Sequence, residues 1–121
     1  MSQNGLFTFT YPILEADIVK TNIKLNALHQ IFEAHFPGRP ILPGVYMVQM
    51  IKDVAEAYTG KKIKLVLAHD LKFLSVINPE ENTMIQMELK ISTDDEKIRI
   101  VGQLLGNTVV FFKFKGVFVQ L

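Results

Sequence analysis

The chain has 121 residues, 49% of them hydrophobic, a formal net charge of +1 and no cysteine. That length suits one domain with a core of its own, and the near-neutral balance argues against a nucleic-acid partner, which calls for a clustered basic excess. The absence of cysteine excludes a disulfide scaffold, a thiol nucleophile and a thiolate metal site, and the three histidines fall at no metal-ligand spacing.

Residues 1–12 are polar and aromatic without a clean period and read as an arm with some strand. They lack a basic region followed by a long apolar run, so no signal peptide is read there. No apolar run reaches the roughly 20 residues needed to span a bilayer. A soluble cytoplasmic protein without membrane contact is expected. From Val19 to Leu25, Val19, Thr21, Ile23 and Leu25 alternate with Lys20, Asn22, Lys24 and Asn26, the pattern of a half-buried strand. Residues 27–34 suit a turn or a single helical turn. A helix is predicted from about Pro43 to Tyr58, with Gly60 as its stop. Its first half is apolar on most sides, which predicts burial on most sides. One polar stripe remains, Gln49, Lys52, Asp53 and Glu56, on a single face.

Strands follow. Ile63 to Phe73 is a long apolar run, and Asn78 to Asn82 is a turn. Ile85, Met87, Leu89 and Ile91 alternate with polar residues, then Thr93 to Glu96 turn, and Ile98, Ile100, Gly102 and Leu104 alternate again. Gly106-Asn107 suits a two-residue hairpin turn. Val109 to Val119 closes the chain as a strand, and its four Phe read as core and interface. One long helix followed by an antiparallel meander predicts an α+β fold with the sheet wrapped around the helix. An apolar surplus with nine Phe in so short a chain predicts an oligomer interface.

The most unusual stretch joins the early elements to the helix: His35-Phe36-Pro37-Gly38-Arg39-Pro40-Ile41-Leu42-Pro43-Gly44-Val45. Its prolines bias their neighbours toward extended conformations, and Gly38 takes a positive φ at no steric cost. Pro43 suits a helix start, where its missing N–H is harmless. The N–H groups near Gly44 and Val45 have no carbonyl partner within the helix, so an oxyanion is well placed against them. A histidine before such a site can exchange a proton near neutral pH.

The same residues resemble the active-site stretch of the 3-hydroxyacyl-acyl-carrier-protein dehydratases of bacterial fatty-acid synthesis. The resemblance extends to Asn26 and Phe32-Glu33-Ala34 upstream, and to Asp70-Leu71-Lys72-Phe73-Leu74 downstream. It implies a hotdog fold, an antiparallel sheet wrapped around one long central helix. It implies that His35 removes a proton beside the thioester carbonyl, that Gly44 binds that carbonyl, and that Phe36, Pro37, Gly38, Pro43, Val45 and Asp53 lie about the substrate. The implied substrate is an acyl carrier protein or coenzyme A thioester. No cofactor and no metal are implied. The implied assembly is a homodimer or a higher oligomer built from dimers.

The chain departs from the family at Gln49, fourteen residues after His35, where the dehydratases carry Glu or Asp. In the family that acid lies across the dimer interface from the partner's histidine and helps the 3-hydroxyl leave as water. Glutamine can hydrogen-bond a hydroxyl but exchanges no proton at neutral pH. Asp53 stands one turn on, where many dehydratases carry glutamine, as if acid and amide were exchanged. It acts on the hydroxyl through a water or through Gln49, or it is an ion pair with Lys52 or a neighbour. His29 reads as a cap or packing residue and His69, beside Asp70, as structural. Arg39 suits a pantetheine phosphate, an acidic carrier or plain surface. The leading reading is a dehydratase; a hotdog thioesterase and a non-catalytic acyl-thioester binding protein or partner subunit are its alternatives.

Overall fold

Period-two alternation builds the sheet, because each strand that puts one face on a helix needs apolar residues at every second position. The computed structural model describes residues 5–34, 38 and 40–121. Its elements in chain order are β1 (Phe7–Phe9), β2 (Ile13–Glu15), β3 (Ile18–Leu25), α1 (Ile31–Ala34), α2 (Gly44–Thr59), β4 (Ile63–Phe73), β5 (Met84–Asp94), β6 (Lys97–Leu105) and β7 (Val110–Gln120). The strands form one 7-stranded sheet in the order β1-β3-β5-β6-β7-β4, with β2 also paired to β3. All pairs are antiparallel. The alternation set Val19, Thr21, Ile23 and Leu25 is buried, as are Ile85, Met87 and Leu89, and Ile98, Ile100 and Leu104.

These residues face α2, which buries Met47, Met50, Ile51, Val54 and Ala55. Each large side chain among them contributes about 1.5–3 kcal/mol by leaving water. Gly102 leaves room for the Leu89 side chain of the neighbouring strand. A Cβ there would meet Leu89 Cδ2 at 2.6 Å and Ile51 Cδ1 at 3.5 Å. The helix stops at Gly60, whose φ of 73° is left-handed and whose N–H donates to the Glu56 carbonyl. Phe111, Phe112, Phe114 and Phe118 all lie in the core. A curved antiparallel sheet around one long helix is the hotdog fold.

One turn carries no sequence signal, and two local expectations are corrected. The hairpin of β2 and β3 carries no glycine signal; its turn uses positive φ at Ala16 and Asp17. The last hairpin turns on Asn107-Thr108, one residue later than expected, because Gly106 N–H donates to the Val109 carbonyl and closes the loop. The helix start is not buried on most sides, for Val45 is 70% exposed.

β4 is the edge that matters for the site. It pairs with β7 alone and carries irregularities between Leu65 and Leu67 and between Ala68 and Asp70. Val66, Leu67, Leu71 and Phe73 are exposed along it. A long apolar edge strand presents unpaired backbone groups and a surface that soluble proteins rarely leave uncovered.

Candidate functional site

The helix start is fixed from two sides. Leu42 is buried, and its N–H donates to the Ile77 carbonyl at 2.9 Å, tying the end of the loop to the segment after β4. Pro43 is extended, with φ −67° and ψ 146°, and stands as the cap with no side-chain hydrogen bond to offer. The helix therefore begins at Gly44, one residue later than the sequence suggests. Tyr46 N–H donates back to the Pro43 carbonyl at 3.1 Å. The Gly44 and Val45 N–H groups precede any carbonyl the helix can supply, and among the described residues neither has a backbone acceptor. Two donors and the positive end of a 16-residue helix thus meet at one place.

Gly44 has a second role that the sequence did not signal. A Cβ on it would meet Phe73 Cε1 at 2.5 Å and Cζ at 2.7 Å. The Phe73 ring is itself stacked on Phe112, with centroids 4.9 Å apart. The face of Gly44 that a side chain would occupy is therefore filled by the last residue of β4. A side chain at this position would displace the Phe73 ring as well as crowd the N–H.

Beside this helix start lies a cleft of about 360 Å³ between Val45, Val48 and Gln49 of α2 and Leu65, Leu71 and Phe73 of β4. It opens where the unpaired edge runs. A larger hollow, about 450 Å³, lies on the outer face of the sheet among Lys90, Lys113 and Lys115. Its lining holds no helix end, whereas the cleft lies at the start of α2.

The polar stripe of α2 resolves into two contacts. Gln49 Nε2 donates to Asp53 Oδ1 at 2.8 Å. Lys52 pairs with Glu56 at 3.8 Å, and Glu56 also accepts from Ile63 N–H at 2.9 Å. The ion pair of Asp53 with Lys52 anticipated as one alternative does not form, because adjacent helical residues face different directions while residues four apart face each other. Burial raises the Asp53 carboxyl above its ordinary range; the Gln49 hydrogen bond opposes this, Glu56 adds to it, and Lys52 and Lys62 oppose it. A raised folded value means that the protonated form is favoured by the fold. That contribution is present below the unfolded carboxylate range and is lost as pH rises through the raised value. Above the raised value the fold carries an ionised Asp53 at a cost. Asp53→Asn is accordingly expected to melt at the same or a higher temperature than the parent at pH 7, with the difference closing on acidification, as read by thermal denaturation at several pH values.

Of the sequence-predicted site residues, Gly44, Val45, Gln49 and Pro43 come together at the helix start and cleft, with Asp53 behind Gln49. Gly38 is exposed, with φ of 80°. His35, Phe36, Pro37 and Arg39 lie outside the described residues. His29 Nδ1 accepts from Ile31 N–H at 3.1 Å and so caps α1. His69 is exposed on β4, and its neighbour Asp70 pairs with Lys72 at 3.7 Å. Among the described residues no group of His, Asp and Glu is arranged to hold a metal ion, and no helix is long and apolar enough to cross a membrane.

Residues 13–103 match the ApeI-like family, described as ApeI dehydratase. The 3-hydroxyacyl-acyl-carrier-protein dehydratase FabZ of Clostridium acetobutylicum is 29% identical over 97 residues, covering 65% of this chain and 67% of that protein. FabZ of Lactiplantibacillus plantarum is 27% identical over 82 residues, covering 62% of this chain and 54% of that protein. The chain thus spans between about half and two thirds of these relatives' length. Among solved structures, the dehydratase heterocomplex ApeI:P from Xenorhabdus doucetiae superposes with a TM-score of 0.73 at 15% identity, covering 93% of this chain and 96% of that one. A thioesterase-like protein from Ralstonia eutropha, related to phenylacetic acid degradation, gives 0.65 at 14% identity, covering 96% and 86%. At these identities the structural likeness speaks to the fold.

Proposed function

Because the chain belongs to the ApeI-like dehydratase family, which it matches over residues 13–103, we propose that it removes water from a 3-hydroxyacyl thioester to give a trans-2-enoyl thioester. His35 takes a proton from C2. The negative charge that develops on the thioester oxygen meets the N–H of Gly44, at the positive end of α2. The C3–O bond breaks, and the proton taken from C2 is returned by His35 to the departing hydroxyl, which leaves as water. Gln49, reaching across the dimer interface as the resemblance implies, holds that hydroxyl by a hydrogen bond and exchanges no proton with it. Phe36, Pro37, Gly38, Pro43 and Val45 form the surroundings of the acyl chain and its thioester. The carrier is an acyl carrier protein or coenzyme A.

The observation that carries this reading is the pair of N–H donors at Gly44 and Val45 beside a cleft that Gln49 helps to line. The test is hydration of a trans-2-enoyl thioester, the reverse reaction, by the unmodified protein and by Gln49→Glu. Turnover by both supports the reading, and Gln49→Glu is expected to be faster, by as much as the roughly 10²–10⁴-fold that a positioned acid contributes. A second reading, an acyl-thioester binding or partner subunit, rests on Gln49 itself. It gains if the unmodified protein is silent while Gln49→Glu turns over.

The exposed β4 edge supports a second hotdog chain beside the first, completing both the sheet and the site. Isologous pairing is the commonest way to cover such an edge. Leu67 is 51% exposed there, so Leu67→Asp is expected to convert a dimer to monomer in sedimentation velocity and to lower turnover with it. A dimer that persists unchanged in Leu67→Asp would place the interface elsewhere.

A further inference from the structure

The direction of the Gln49–Asp53 contact at the cleft wall is dictated by chemistry. An ionised carboxylate only accepts hydrogen bonds, so it must face the amide NH2 group of Gln49 and not its carbonyl oxygen. The contact is short, 2.8 Å from Nε2 to Oδ1, as charge-assisted bonds are. With Nε2 turned toward Asp53, Oε1 is the end of the amide left for the cleft. Among the described residues it makes no hydrogen bond. Gln49 lines the cleft and Asp53 does not, so the carboxylate stands behind the amide, one helical turn deeper along α2.

We propose that Asp53 is a positioning residue, which holds Gln49 with its carbonyl oxygen toward the substrate and so makes the site selective for thioesters with a hydroxyl at C3. The inference rests on the dehydratase reading for its choice of ligand. A C3 hydroxyl donates a hydrogen bond to Oε1. A C3 ketone sets one acceptor against another, and a saturated C3 leaves Oε1 without a partner. Sites built to hydrogen-bond a hydroxyl discriminate against analogues that lack it, because the protein's own polar group is then left unpaired. Asparagine at position 53 would break the arrangement without removing its volume, because its amide can present either end to Gln49. Of the charged groups around Asp53, Glu56 is engaged by Lys52, and Lys62 adds a further positive charge.

The test is equilibrium binding of 3-hydroxyoctanoyl-, 3-oxooctanoyl- and octanoyl-coenzyme A, measured in the His35→Ala background so that bound ligand is not consumed. The 3-hydroxy compound is expected to bind about tenfold more tightly than either analogue, the scale of one added hydrogen bond. Adding Asp53→Asn is expected to reduce that preference to about twofold or less, the cost of a hydrogen bond made in only some orientations. A side-chain NH2 resonance, assigned by its loss in Gln49→Leu, is expected to shift as Asp53 titrates and to stop shifting in Asp53→Asn. Equal affinities for the three compounds, absent binding included, or an unchanged preference in Asp53→Asn, would overturn the proposal. The two ideas fail separately. A parent protein silent in turnover removes the dehydratase reading and leaves the binding ratio to be read, while an unchanged ratio removes the positioning role and leaves turnover standing.

Discussion

Replacing His35 with alanine is expected to lower kcat for a 3-hydroxyacyl thioester by about 10²–10⁴-fold, the usual contribution of a positioned proton-transfer group, with little change in KM. The argument comes from the chemistry that remains. Removing a C2 proton requires a base that is unprotonated at neutral pH and able to give the proton back, and histidine fits both demands. Gln49 cannot serve, since an amide neither takes nor gives a proton there. Asp53 stands behind Gln49 with its nearer oxygen occupied by the amide. No other group proposed at the site carries the proton, so the loss should fall on the chemical step. A loss confined to KM would mean instead that His35 only binds substrate. Wild-type rates in His35→Ala would remove it from the mechanism.

Gly44→Ala is expected to produce the second large effect, on stability and on rate together. The added methyl would stand 2.5 Å from Phe73 Cε1 and 2.7 Å from Cζ, distances that real carbon contacts do not hold. The ring is 56% exposed, so it can turn outward only by giving up its stack on Phe112, which is fully buried. Either Phe73 leaves the stack or the start of α2 moves away from β4. Overpacking of this kind costs about 1–3 kcal/mol. If the helix start moves, its N–H donors leave the position where the thioester oxygen would sit, and loss of one oxyanion donor is typically about 10²–10³-fold in kcat. Phe73→Leu in the Gly44→Ala background separates the two consequences. It is expected to recover part of the melting temperature, and a double-mutant cycle should return a coupling of about 0.5–3 kcal/mol. Strict additivity would show that the two residues do not press on each other in solution.

The parts of this protein legible in its sequence are those governed by short-range periodicity. Val19 to Leu25 and Ile98 to Leu104 announce both strand and buried face, because a one-residue slip would send every apolar side chain to the other side. The bounds of β4 could be read from its apolar run and from Gly60 before it. The β2–β3 hairpin could not, since Ala16 and Asp17 adopt positive φ without the glycine or asparagine that usually marks such a turn. The exposure of Val45 was hidden for a different reason. An apolar helix face looks the same in sequence whether it meets the core or an open cleft, and only the position of β4 decides between them.

The site divides along the same line. A proline-rich loop before a glycine-initiated helix was enough to locate the donors at Gly44 and Val45, because orphan N–H groups are a local property of every helix start. The fit of Phe73 against Gly44 was not legible, for it joins residues 29 positions apart in the chain. The Gln49–Asp53 contact was within reach, as four-residue spacing on one helix face is a sequence signal. It competed with the attraction of opposite charges at Lys52 and Asp53, and geometry outweighed charge. Gln49 and Asp53 thus form an amide–carboxylate pair along one turn of α2.

The most direct measurement is hydration of a trans-2-enoyl thioester by the unmodified protein in deuterated buffer, with the product identified by mass spectrometry. The account predicts a 3-hydroxyacyl thioester carrying one carbon-bound deuterium, at C2, formed by the reverse of the proposed proton transfer. Recovery of unreacted enoyl thioester, or release of the free acid, would contradict it.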